Sequence, residues 1–174
     1  MGSAENRNKS KPEGQAEPQN SVAKMGSSFK AAEEKWPGEA NTMKNFRSIW
    51  SRLEHQVESA ELMPQSDRYE RAVYARHIYN TINDLSKKAE SDNNTKAYPM
   101  LSKLTTAATE LFWMNYFRTE NLDVKILSLE PLMISCGELC GVKVLTFKET
   151  LKNITEYWTS HEEMRLTKLF KLDE

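Results

Sequence analysis

Apolar side chains recur at three- and four-residue steps from Asn41 onward, the spacing at which one face of an α-helix repeats. The pattern is clearest at Phe46, Ile49, Trp50, Leu53, Val57 and Ala60, with Arg47, Arg52, Glu54, Glu58 and Glu61 largely on the other side. Asn41 or Thr42 can cap this helix through a side-chain oxygen, and Pro64 closes it. A second helix is predicted from about residue 67 to 90, capped by Ser66, with a stripe of Tyr74, Ile78, Ile82, Leu85 and Ala89. Tyr69 and Val73 fall off that stripe and predict an exposed apolar spot near Tyr69. The polar run Ser91, Asp92, Asn93, Asn94 breaks the pattern, and Pro99 suits the first turn of a third helix that should end near residues 119–121.

Residues 122–147 read two ways. Leu122, Val124 and Ile126 alternate like a strand, as do Val142 and Val144, which admits a minor two-stranded element around a helix at 131–140. Leu122, Ile126 and Leu129 also fit a helix face, and two isolated strands are marginal without support, so helix or extended linker is the favoured reading. Two capping boxes follow. Thr146 with Glu149 precedes Leu151, Ile154 and Trp158, and Ser160 with Glu163 precedes Met164, Leu166, Leu169 and Phe170. They predict two closing helices, or one helix kinked near residues 159–160. No repeat period links the segments, which argues against a solenoid.

Before Asn41 the character changes. No leucine or isoleucine occurs ahead of Ile49, and residues 1–27 are dominated by Lys, Glu, Gln, Asn, Ser, Gly and Pro. Such a stretch cannot bury enough surface to offset the entropy of ordering, so it is expected to be a disordered arm. Residues 28–40 are expected to be a short helix and linker: Phe29, Ala32 and Trp36 would share one side, and Pro37-Gly38 is a stop. That aromatic pair either packs on the body or folds when a partner binds. The fold class expected is all-α: a single helical bundle of about five to six helices over residues 41–174, behind the arm.

Within the third helix, Leu111, Phe112, Trp113, Met114, Asn115, Tyr116 and Phe117 place six large apolar or aromatic side chains in seven positions. At about 100° per residue, Leu101, Leu104, Ala108, Leu111 and Asn115 fall on one side while Trp113 and Phe117 fall opposite, with Lys103 and Glu110. One core cannot easily cover both sides, so either the chain's own C-terminal helices or a partner must cover Trp113 and Phe117. Trp113, Phe117 and Met114 are therefore candidate interface residues, joined by Tyr69, Phe29 and Trp36. Asn115 sits mid-stripe, where an amide satisfied near the helix end is the simpler reading and a register-setting polar residue the sharper one.

Charge narrows the function classes. The net charge is −1, and basic and acidic groups balance locally: six and six over residues 1–40, eight and eight over 41–94, ten and eleven over 95–174. A nucleic-acid binder usually shows a basic patch or tail, so this balance argues against one. No apolar run is long enough to span a bilayer and no signal-peptide pattern is present, which predicts a cytoplasmic location, with a nuclear one the alternative. The sequons at Asn8, Asn93 and Asn153 then read as chance matches. Gly2 approximates an acylation start, although Asn6 stands where Ser or Thr is favoured and Glu5 and Glu13 dilute the basic residues nearby.

Chemistry has little to work with. No glycine lies between Gly38 and Gly137, so no phosphate-cradling loop can form there. Cys136 and Cys140 share a helix face, but His55, His77 and His161 show no ligand spacing toward them, and buried structural thiols are expected. Ser160-His161 and Glu162-Glu163 read as helix-start residues rather than as a catalytic group. No catalytic, metal or cofactor residue is expected, and no small-molecule substrate is identified. The reading is a non-enzymatic interaction or assembly protein that self-associates or binds a protein partner through an aromatic helix surface. The alternative is a structural component of a larger particle, such as a viral matrix or nucleocapsid protein, touching nucleic acid or an anionic membrane through its arm. A carrier with a cavity between helices is a third reading.

Overall fold

The computed structural model describes residues 41–114 and 122–173. The expected arm, the short helix with Phe29 and Trp36, Gly2, Asn115 and Phe117 lie outside the described residues. The described chain is all-α: α1 (Asn41–Glu61), α2 (Tyr69–Ser91), a 3₁₀ turn (Thr95–Ala97), α3 (Tyr98–Trp113), α4 (Leu122–Cys140), α5 (Phe147–Ser160) and α6 (Glu162–Asp173). No strand occurs among these residues.

The first three helices form the centre and the later ones pack around it. α1, α2 and α3 pack on one another, α4 closes over α2 and α3, α5 rests on α2, and α6 contacts chiefly α5. The predicted stripe of α1 is the buried one, with Phe46, Trp50, Leu53, Val57 and Ala60 inside and Ile49 at the margin. At the centre four aromatic rings from three helices meet. Trp50 stacks on Tyr79 at 4.4 Å between centroids and 9° between planes, and Phe112 lies 5.4 Å from Trp50 and 5.9 Å from Phe46. Phe46 in turn stacks on Tyr79 at 5.4 Å. Offset stacked pairs at such separations add stabilisation beyond the area they bury.

Beside this cluster the Arg76 guanidinium lies 5.3 Å from the centre of the Trp50 ring and donates to Glu61 Oε1 at 2.9 Å. Burial raises the Glu61 carboxyl above its ordinary value, and the hydrogen bond and charge of Arg76 oppose that rise.

Several sequence expectations are corrected. Tyr69 is buried, as is Val73, and there is no exposed apolar spot there. α5 lies over that side of α2, with the Tyr69 hydroxyl 3.1 Å from Thr155 Oγ1. A helix with partners on both flanks buries more than its main stripe, which a single-helix count does not anticipate. α2 begins at Tyr69 rather than at residue 67, and Ser66 Oγ accepts from the Arg68 N–H in a turn ahead of it. α3 ends at Trp113, where Met114 leaves helical geometry at ψ 25°, well short of residues 119–121.

Residues 122–140 are helical, so the two-stranded alternative fails, while Val142 and Val144 run as a non-helical strap. Pro131 sits inside α4 and removes one helical hydrogen bond. Pro131 and Leu127 are both exposed, so the Leu127 carbonyl it frees is on the solvent side. α4 stops in a Schellman arrangement: the Val142 N–H donates to the Gly137 carbonyl, the Gly141 N–H to the Glu138 carbonyl, and Gly141 takes φ +72°. The strap then returns so closely that a Cβ on Gly137 would lie 2.5 Å from Val144 Cγ2 and 2.7 Å from the Val142 carbonyl oxygen.

The strap delivers the first capping box. Thr146 Oγ1 accepts from the Glu149 N–H, and the Glu149 carboxylate accepts from the Thr146 N–H, which holds its carboxyl below the ordinary value. Glu130 of α4 accepts from the Phe147 N–H, tying the two helices together. The second box does not form: Ser160 is the last residue of α5, and only His161 separates it from α6.

His77 of α2 is part of the same junction. Its Nε2 lies 2.8 Å from the Leu145 carbonyl oxygen, and its ring meets Phe147 edge-on at 5.8 Å. Burial lowers its pKa below the ordinary 6.5, against the raising influence of Leu145 and Glu130. Between that lowered value and 6.5 the unfolded chain holds more protons, so stability is present above 6.5 and is lost as pH falls. In urea titrations the stability of the native chain should decline from about pH 7.5 to about pH 5.5 more steeply than that of His77→Gln, whose amide can donate to Leu145 without titrating. Equal slopes would remove His77 from the pH response.

Two substitutions test the packing. Phe112→Ala should lower stability by about 3–5 kcal/mol in a urea melt, because it empties the space between Phe46 and Trp50. Gly137→Ala should lower it by about 1–3 kcal/mol, because the added carbon meets backbone as well as the Val144 side chain.

Candidate interaction surface

Trp113 is 63 % exposed, although Leu111 and Phe112 just before it are buried. The helix ends as this face turns outward, so the indole is left on the rim of a cleft between α1 and α3. Asn45, Ser48, Ile49 and Arg52 supply the α1 wall, and Thr109, Glu110 and Trp113 the α3 wall, around about 430 Å³. A smaller hollow of about 180 Å³ adjoins it beneath Leu53, Gln56 and Phe112. The Arg52 guanidinium lies 5.2 Å from the centre of the Trp113 ring, a cation–π contact at an exposed site. The cleft is therefore apolar at Ile49 and the indole, and its other walls are polar and carry both charge signs, at Arg52 and Glu110.

Of the sequence candidates, Trp113 alone combines exposure with a concave setting. Met114 is partly buried at the helix end, with Lys125 Nζ 3.7 Å from its sulfur. Tyr69 is removed from the surface, and Phe117, Phe29 and Trp36 lie outside the described residues. Sequence reasoning passed over Arg52 and Ile49. Both sit on the flank of the α1 stripe, and only their placement opposite Trp113 marks them.

Other exposed apolar groups are spread over the outer helices. Val124 (73 % exposed) and Leu127 lie on the water side of α4, and Phe170 (65 % exposed) and Leu166 lie four apart on α6. α6 is held by Arg165, which donates through Nη1 to the Leu62 carbonyl just beyond α1 at 2.7 Å. Its Lys168 rests over the Trp158 ring at 5.6 Å, in a groove of about 400 Å³ with Glu58, Glu61 and Ile154.

The potentially reactive groups are occupied structurally. Cys136 and Cys140 are buried and free; burial and the neighbouring Cys140 thiol push Cys136 up to about 12, and burial raises Cys140. Thiols held protonated at neutral pH are poor nucleophiles and poor metal ligands. His161 Nδ1 lies 2.8 Å from the Tyr157 carbonyl oxygen and its ring stacks on Tyr157 at 4.2 Å, so it closes α5 rather than pairing with Ser160. No group of three His, Cys, Asp or Glu among the described residues could hold a metal ion. No described helix is long and apolar enough to cross a membrane. Comparison with protein families, curated proteins and solved structures finds no match to this chain.

Proposed function

We propose that this chain is a non-enzymatic interaction or assembly protein that engages a protein, in the first instance a second copy of itself, through the cleft between α1 and α3. One observation carries the reading: Trp113 stands in the open beside Arg52, in a cleft whose apolar lining it shares with Ile49. Tryptophan and arginine are the residue types that contribute most when an interface covers them, and an apolar centre inside a polar rim is the arrangement such interfaces use. The cleft lies between two helices of the central core, so its walls are rigid. A groove of that kind suits an amphipathic helix presenting a bulky apolar side chain.

Sedimentation velocity over a range of concentrations tests this. The native chain should associate as concentration rises, and Trp113→Ala should weaken association at least tenfold while changing stability by no more than about 0.5 kcal/mol, as expected for an exposed side chain. A native chain that stays monomeric at every concentration and sediments like Trp113→Ala would overturn self-association through this surface.

A further inference from the structure

The cleft has a candidate occupant in the same chain. Residues 28–36 carry Phe29, Ala32 and Trp36 on one helical face, with Glu33 among them and Lys30 and Lys35 elsewhere. Pro37 and Gly38 then form a turn signal, and Asn41 opens α1.

The tether sets the geometry. Five Cα steps separate Trp36 from Asn41 and span at most about 17 Å, so a chain reversing at Pro37-Gly38 must run back along α1. The α1 wall of the cleft, from Asn45 to Arg52, is about 10 Å long, and Phe29 to Trp36 in a helix is also about 10 Å. Laid antiparallel, Trp36 comes level with Asn45 and Phe29 with Arg52, beside the Trp113 indole. Glu33 then lies within side-chain reach of Arg52, whose guanidinium rests on the indole and pairs with no carboxylate among the described residues. Length, register, apolar face and charge agree.

We propose that residues 28–36 dock as a helix in the Trp113 cleft of their own molecule, with Phe29 and Trp36 against Ile49 and Trp113 and Glu33 on Arg52. The segment is then an internal occupant that an incoming partner displaces. This rests on the reading of the cleft as a docking surface, but not on self-association.

Fluorine NMR of the full chain labelled with 5-fluorotryptophan separates the two, with the Trp113 line assigned by its loss in Trp113→Phe. In the native chain that line should hold one position on dilution below the concentrations at which the chain associates. In Phe29→Ala/Trp36→Ala it should move toward the position of solvent-exposed indole, and the variant should associate more readily than the native chain. Glu33→Arg and Arg52→Glu should each move it the same way, and combining them should restore the native position. All four changes lie at exposed or tail positions, and an unchanged circular dichroism spectrum excludes unfolding as the cause. A Trp113 line that is identical in the native chain and in Phe29→Ala/Trp36→Ala overturns the proposal. So does a line that moves only with concentration, which would place a second copy in the cleft and leave the proposed function standing.

Discussion

The packing of Trp50 between Tyr79 and Phe112, with Phe46 completing the cluster, is the contact on which the rest of the fold depends. Each of the first three helices contributes at least one ring, so none can shift along its axis without breaking a stacked pair. Close-packed cores resist displacement in this way because a gap of even a fraction of an ångström forfeits much of the dispersion energy. The orientation of α3 follows from Phe112. With Phe112 directed inward, the next residue along the helix is turned about 100° away, and Trp113 emerges into the cleft. The exposed indole is thus a geometric consequence of the buried one-ring neighbour.

Outward from that centre the helices bury progressively fewer side chains. α4 still buries Ile126, Leu129, Met133 and Cys136, whereas Phe147 is the one fully buried side chain described in α5. The outer layer is held by directional contacts instead: Glu130 to the Phe147 N–H, His77 to Leu145, Tyr69 to Thr155, and Arg165 to Leu62. Each hydrogen bond adds only on the order of 1 kcal/mol net, so α5 and α6 are positioned more by pattern than by strength. Gly137 is the hinge of this arrangement, because its missing Cβ lets the strap at 142–146 return against α4 and present Thr146 to cap α5.

The surface follows the same logic. A helical core that exposes a tryptophan in a rigid cleft, and a tail whose only aromatic pair lies a short tether away, are features that fit one another physically. In the proposed arrangement the occupant is linked by a few residues, and the high effective concentration this gives would let even weak docking hold the cleft until a better partner arrives. The buried thiols and the histidines that close junctions leave the exposed Trp113 cleft as the most distinctive chemical feature of the described residues.

Much of the all-α architecture was legible in the sequence. The stripe from Phe46 to Ala60, the break at residues 91–94, the start of α3 around Pro99 and the Thr146 capping box are local signals: each depends on residues within a turn or two, and each appears where the pattern puts it. The angular count also set Trp113 opposite the core stripe, but it left open whether the chain's own C-terminal helices or a partner would cover that side. What the sequence left open depended on neighbours distant along the chain. Tyr69 is buried because α5 arrives from 86 residues away, and residues 122–140 are helical because a face of α4 meets α2 and α3 rather than a second strand. Periodicity records what a segment prefers by itself, whereas burial and partnership are set by which other surface reaches it. The apolar pattern therefore determined the helices and the position of Trp113 opposite the core stripe, and only tertiary packing decided that the indole stays exposed and that Ile49 and Arg52 stand across from it and make a cleft.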